Sequence, residues 1–298
     1  MSSAQNIKTA SKDSYSLKIK LKSAALFTWF LILAIICLLP IYILIVNATR
    51  EHSEIVHSVS LIPGSQIVEN FKTVTESQDY LYIFDVWAGY KNSAIITISA
   101  TFLTVFFSAM TAYGVHVYDF KFKEAAYSII LLVMMVPVQV TSAGFVNFMN
   151  EIGLLNSYIP LILPAIAAPA VVYFMRSYMK SSFPLDIVEA ARIDGSGEFR
   201  TFLTIAIPMM KPAIAVQAIF AFVASWNNFY TPNMILLTTR VEGKTLPMMI
   251  SAIGASDTLN DYGSKYMAIA LTVLPIVVAY VLLSKYIVAG VALGGVKE

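Results

Sequence analysis

Six windows of roughly 20 apolar residues constrain this chain more than any motif in it. A bilayer offers an open peptide group no hydrogen-bond partner, so only helices or closed barrels cross it. The windows lie approximately at 24–46, 93–117, 125–146, 157–175, 212–230 and 266–284. The fifth is the weakest, short and ending in Trp226-Asn227-Asn228. The first is too long for a signal-peptide core. Asn47-Ala48-Thr49-Arg50 follows it in place of a small-x-small cleavage site, so it is expected to stay as a helix. Hydrophobic residues make up 58% of the chain and charged ones 13%, which excludes an ordinary soluble enzyme. The lone Cys37 excludes a disulfide framework or a cysteine metal cluster, and a net charge of +2 gives no surface for nucleic acid. The expectation is an all-α integral membrane protein with six transmembrane helices.

Lysine and arginine concentrate in the N-terminal arm, the second and fourth loops and the C-terminal end. Positive loops are retained in the cytoplasm, so both termini are expected there. The organisation expected is a cytoplasmic arm at 1–23, one six-span domain at 24–290 with a cytoplasmic loop at 177–211, and a cytoplasmic tail at 291–298. The arm, rich in serine and lysine, reads as a disordered tether on the membrane surface. Two outer segments are long. Residues 47–92 are polar with a Pro63-Gly64 turn, and 231–265 read as partly membrane-dipping, since Pro232, Gly243, Pro247 and Gly254 forbid a continuous helix. His52 and His57, at i and i+5 in the first of these, lack a metal-like cluster and read as solvated surface residues.

None of the six windows carries an ionisable side chain at mid-depth, which disfavours a proton- or ion-coupled carrier. The chain also lacks a G-x-x-x-x-G-K-[ST] loop, so ATP hydrolysis by this chain is not expected. Any driving energy has to come from a partner.

The loop between the fourth and fifth windows reads as helix, turn, helix. Pro184 suits a first helical position and Gly195 the left-handed residue that ends a helix. Ser196 is then expected to cap the next helix, with Glu198 in its first turn. Ile187, Ala190, Ala191 and Asp194 fall at i, i+3, i+4 and i+7 and share a shallow face, flanked by Glu189 and Arg192. Such a knob suits a docked protein, although an alanine-faced stub lying on the membrane has the same composition.

Spacing separates the two. Glu189-Ala190-Ala191, three residues, Gly195, nine residues, Ile205, one residue, then Ile207-Pro208 resembles the E-A-A-x3-G-x9-I-x-L-P signature of permease subunits of binding-protein-dependent ABC importers. Ile207 stands where that pattern has leucine, a volume-conserving change. Ser225-Trp226-Asn227-Asn228-Phe229-Tyr230-Thr231-Pro232 is similar to the W-N-x-F-x-x-P segment of the carbohydrate branch, in particular the second permease of maltose-type importers. The glycine-bearing run from Gly290 to Lys297 resembles its terminal tail.

The resemblance implies a multi-pass subunit of the bacterial cell membrane, in contact with lipid and not with nucleic acid, that is not itself an enzyme. Its partners would be a second permease, two ATPase subunits and an extracytoplasmic solute-binding protein. It implies no cofactor in this chain, with ATP and Mg in the ATPase subunits, and neither a catalytic residue nor a metal ligand here. Ile187, Glu189, Ala190, Ala191, Arg192, Asp194 and Gly195 would form the cytoplasmic coupling helix seated in an ATPase cleft. Amides and aromatics suit an uncharged polyol, which makes Gln139, Asn147, Trp226 and Asn227 the pathway candidates. The alternatives are an importer permease for another solute, such as glycerol phosphate, an acidic oligosaccharide or a peptide, and an autonomous carrier or channel.

Overall fold

The computed structural model describes the backbone of residues 2–237, 240–256 and 258–294, and side chains of 19–237, 240–256 and 258–282. Its elements are α1 (Ser2–Ala48), α2 (His52–His57), α3 (Ile67–Glu76), α4 (Gln78–Leu81), α5 (Val86–Val117), α6 (Lys123–Met134), α7 (Val138–Glu151) and α8 (Ile159–Ile162). There follow α9 (Pro169–Ser182), α10 (Asp186–Ile193), α11 (Glu198–Thr201), α12 (Ile207–Met209), α13 (Lys211–Trp226), α14 (Tyr230–Ile235), α15 (Leu246–Gly254) and α16 (Tyr262–Gly294). No strand occurs among the described residues.

Four stretches of these described residues are long and apolar enough to cross a bilayer: Ile19–Ala48, Gln78–Val117, Ile159–Ser182 and Tyr262–Leu282. Two bent helix pairs bring the number to as many as six, if each pair is one span. The third expected span is therefore not one rod. Pro137, with no N–H to continue the ladder and an extended backbone (ψ 131°), separates α6 from α7, which meet at 93°. The fifth window, 212–230, holds a single helix as far as Trp226, and the chain turns by 81° just before it, between Glu198–Met209 and Lys211–Trp226, where Pro212 sits in the first turn of α13. Just before this bend, Phe202–Ala206 form a π-turn in which the Ile207 N–H reaches back to the Phe202 carbonyl. Pro208, next in the chain, has no N–H for the residue 204 carbonyl, and the wider turn accommodates that loss. Pro160, Pro164 and Pro169 likewise cut the fourth window into α8, a 3₁₀ turn at Leu163–Ile166, and α9. A carbonyl freed there, that of Ala165, accepts the Thr104 hydroxyl of α5 at 3.0 Å.

Several boundaries differ from those expected. The arm at 1–23 is helical from Ser2, continuous with the first span, because no proline or glycine interrupts the chain before Pro40. The tail expected from 291 is helical through Gly294, and 295–298 lie outside the described residues. Of residues 47–92, the first two close α1 and those from Val86 open α5, and three short helices, α2, α3 and α4, lie between. Residues 231–265 do break at the anticipated places. Gly243 closes a 3₁₀ turn, Pro247 sits in the first turn of α15 and Gly254 ends it, while Leu246, Met248, Met249 and Ile253 are buried. Asn92 of α5 donates to the Glu242 and Lys244 carbonyls at 2.7 and 2.9 Å, and Ser93 accepts the Leu246 N–H at 3.0 Å, pinning this segment to α5.

The chain divides into two compact units, Met1–Phe71 with Asp261–Ala270, and Lys72–Asn260 with Leu271–Glu298. In the first, the end of α1 is closed by side chains. The buried Asn70 amide donates to the Ala48 and Arg50 carbonyls at 2.9 and 3.0 Å, supplying partners that a helix C-terminus lacks. The Arg50 guanidinium, also buried, donates to the Ser58 and Glu54 carbonyls and pairs with the Glu54 carboxylate at 3.4 Å. His52 is half-buried and lies flat on Tyr262, with ring centroids 5.1 Å apart, and accepts the Tyr262 N–H, so it is not a solvated surface residue. His57 is exposed. In the second unit, α5, α9 and α13 surround a core of Ala109, Tyr113, Met175, Met179, Phe202 and Met210.

Candidate functional site: a knob and a cleft

The α10–α11 segment grows out of that core. Phe183 precedes Pro184 and is held extended (φ −125°, ψ 97°), as the proline ring requires, which ends α9 at Ser182. The helix then begins at Asp186 with Leu185 at its cap, so Pro184 lies before the helix rather than at its first position. At the other end Gly195 takes φ +76°, its N–H donates to Arg192 O at 3.0 Å, and the Ser196 N–H donates to Ala191 O at 2.9 Å. These two bonds are those of a Schellman stop. Gly197, not Ser196, occupies the cap of α11, while the Ser196 hydroxyl accepts that of Thr201.

Burial rotates the outer face from the one the spacing suggested. Val188 and Ala191 are buried, Val188 within the α5–α9–α13 core, and Ile187 is half-buried. The outward face is Asp186, Glu189, Ala190 and Ile193, with Arg192, Asp194 and Gly195 also exposed. Ala191 therefore belongs to the root of the knob, where the small side chain lets α10 approach the body closely. Ile193 and Phe199, 85% and 59% exposed, are apolar groups that the spacing reading passed over. The signal for Ile193 was present, since it lies four residues beyond Glu189 and so one turn along the same face.

The expected Glu189–Arg192 flank is also different. Arg192 turns to Glu198 across the glycine turn, Nε to Oε1 at 2.7 Å and Nη2 to Oε2 at 3.2 Å. Tyr118, at the end of α5, donates its hydroxyl to Glu198 Oε2 at 2.8 Å, and the guanidinium lies 5.9 Å from its ring centroid. Burial, then the carboxylate beside it, pushes the Tyr118 pKa up to about 12, so its hydroxyl stays protonated. The Glu198 hydrogen bond in turn raises that of Arg192. The triad ties α10, α11 and the end of α5 together and leaves Glu189 facing outward. Arg176 on α9 adds a second tie. Buried, it pairs with Glu124 of α6 at 3.0 Å and stacks on Tyr127 at 3.7 Å.

The second feature is a cleft of about 330 Å³ between α7, the 159–166 segment and the stretch from Asn228 into α14. Its polar lining comes from Thr141, Ser142, Asn228, Tyr230 and Thr231. None of the four pathway candidates lines it. Gln139 and Asn147 are exposed on α7 and Asn227 is exposed at the end of α13. Trp226 is buried, stacked on Phe222 at 5.7 Å, with its N–H donated to Thr272 O at 3.1 Å, and so anchors α13 to α16. Of the Trp226–Pro232 segment it is Asn228, Tyr230 and Thr231 that reach the cleft. No cluster of His, Cys, Asp or Glu able to hold a metal occurs among the described residues.

An all-helical, multi-pass body with a knob rooted in its core and a cleft between its broken helices defines a membrane permease component. The chain belongs to the family of binding-protein-dependent transport system inner membrane components, whose profile matches residues 117–293. It is 33% identical over 277 residues to the arabinooligosaccharides transport system permease protein AraQ of Bacillus subtilis (strain 168), covering 92% of this chain and 95% of that one. It is 31% identical over 280 residues to the trehalose/maltose transport system permease protein MalG of Thermococcus litoralis, covering 93% and 98%. A crystal structure of a bacterial ABC transporter that imports the acidic polysaccharide alginate shares the fold. Its matching chain has a TM-score of 0.72 at 18% identity, with 90% of this chain and 96% of that one covered.

Proposed function

We propose that this chain is the transmembrane subunit of an ATP-driven importer for a sugar or oligosaccharide. With a partner permease it forms the pathway, a solute-binding protein delivers the cargo, and separate ATPase subunits bind ATP and Mg. The carrying observation is the knob: an exposed apolar tip at Ile193, held by the Tyr118–Arg192–Glu198 triad and rooted through Val188 in the core between α5, α9 and α13. A tip so anchored transmits displacement to three spans at once, because a packed core shifts as a unit rather than deforming. Closure of the ATPase dimer on α10 then biases the helices between inward-open and outward-open states. The family membership supports the importer reading, and the names of the two sequence relatives support the saccharide.

Reconstitution tests it. Proteoliposomes holding this chain alone should show no saccharide flux, whereas adding the partner permease, ATPase subunits and binding protein should give uptake that requires ATP. Flux from the chain alone would establish an autonomous carrier or channel instead.

A further inference from the structure

We propose that the cleft between α7 and α14 is a saccharide subsite within this chain, selective for an uncharged ring and closed to anionic sugars and phosphates. The proposal rests on the importer reading above and adds to it which residues meet the cargo and what they refuse.

The hydrogen-bond directions at the cleft are set by the protein. Ser142 lies 2.8 Å from the Gln139 carbonyl, which only accepts, so the serine hydroxyl donates there. Tyr230 OH, 2.9 Å from Ser142 Oγ, must then be the donor between those two, which leaves the phenol oxygen as an acceptor toward the cleft. Asn228 Oδ1 accepts the Thr231 N–H at 3.2 Å, and this leaves the carboxamide NH₂ as a donor. A fixed acceptor and a fixed donor on one wall suit neighbouring hydroxyls of a sugar ring, each of which both gives and takes a hydrogen bond. Phe145 supplies an aromatic surface for the ring's C–H face. The volume of about 330 Å³ sits at the low end of small-molecule sites, enough for a short saccharide.

Charge decides the class. Among the described residues, no Asp, Glu, Lys, Arg or His lines the cleft. A carboxylate or phosphate entering it would shed water without gaining a counterion, a penalty that neutral hydroxyls cannot offset. The fold is shared with an importer of an acidic polysaccharide. This lining separates the present chain from such a cargo.

The test uses the assembled importer in proteoliposomes with Cys37→Ser and Thr141→Cys in this chain, whose one thiol then reports on the cleft when alkylation is read on this subunit. Saccharide import by the unsubstituted assembly is measured first, with arabinotriose and maltose as neutral probes and trigalacturonate as the anionic one. Millimolar neutral saccharide is expected to slow alkylation at position 141 by about fivefold, the protection given by a ligand present at a few times its dissociation constant. Trigalacturonate should leave the rate unchanged. Tyr230→Phe, which keeps the ring and removes the acceptor, should abolish the protection, and its purified assembly should melt like the parent's. Protection by both sugar types, protection that survives Tyr230→Phe, or a thiol that never reacts because another subunit covers it would each overturn the subsite. If ATP drives saccharide uptake yet no sugar protects the thiol, the subsite alone fails. If no saccharide is imported at all, the sugar-importer reading fails with it.

Discussion

The junction after α1 and the knob of α10 and α11 are both helix ends with a turn beyond them, and they are finished in opposite ways. At the junction every strong group is answered from the same unit. Asn70 takes two carbonyls, Arg50 two more and a carboxylate, and His52 stacks on Tyr262. At the knob the polar groups behind the tip are paired, but the tip carries Ile193 and Phe199 largely bare. The first region completes itself. The second is paired in its base and bare at its surface, which is the form the proposed ATPase contact requires.

The largest effect should come from spoiling the self-contained region. A Cβ at Gly263 would fall on the Arg50 carbonyl oxygen and the Asn70 amide, both fixed by the bonds just described. Gly263→Val is therefore expected to prevent recovery of folded chain from detergent extracts. The milder Asn70→Ala, which strands two buried carbonyls, should cost about 2–4 kcal/mol in a thermal or denaturant melt. A melt unchanged by Asn70→Ala would mean that the junction is not held as described.

Gly195 tests the knob without touching the fold's interior. A Cβ there meets nothing within 4 Å, so the demand on this residue is its φ of +76° and not space. Gly195→Asn, which tolerates that conformation, should keep uptake, whereas Gly195→Pro, locked near −65°, should dissolve the turn. Expected for Gly195→Pro, and for Glu189→Lys on the outer face, is normal membrane insertion with ATP hydrolysis uncoupled from saccharide uptake. Normal uptake by both would remove the coupling role from this loop.

How much of this could be read beforehand follows the physics of each feature. The six apolar windows were legible because lipid imposes length and composition on any span, and the glycine turn because a left-handed residue has few substitutes. The kink at Pro137 was missed, since a hydropathy window averages over a proline that removes one hydrogen bond. Ala191 was misplaced and Ile193 passed over because periodicity defines faces but not which face meets the body. That choice is made by Val188, which the core of α5, α9 and α13 takes in. Least legible is the pathway, because an amide or an aromatic serves packing and binding alike. Trp226 is a candidate by residue type alone, and type gives neither its bond to the Thr272 carbonyl nor its place beside Ser225 and Asn228 in a small polar hollow.

A smaller effect is expected at the bare tip. Ile193→Ser removes an apolar side chain that is 85% exposed, so the melt should move by less than about 0.5 kcal/mol. Binding of the ATPase subunits, measured on immobilised permease, should weaken by roughly tenfold, as for a central apolar anchor. A weakened melt with unchanged binding would reverse the comparison and make the knob a region closed on itself like the first.

The smallest effect should come from the triad, whose arginine and glutamate are substantially exposed. Tyr118→Phe removes the hydroxyl donated to Glu198 and keeps the ring against Arg192, so uptake should fall less than twofold near neutral pH. The pH dependence carries the sharper signal. The folded chain holds the Tyr118 proton up to about pH 12, against an ordinary value near 10, so the folded state is the stronger proton binder. Its contribution is complete below pH 10 and is lost as the pH rises from 10 toward 12, because unfolding then releases the proton. Melts of the parent and of Tyr118→Phe, compared between pH 8 and 11.5, should keep a constant gap at first and converge above pH 10. A gap that widens there would mean that the ionised phenolate is the form the knob prefers, and that Glu198 is not the group it faces.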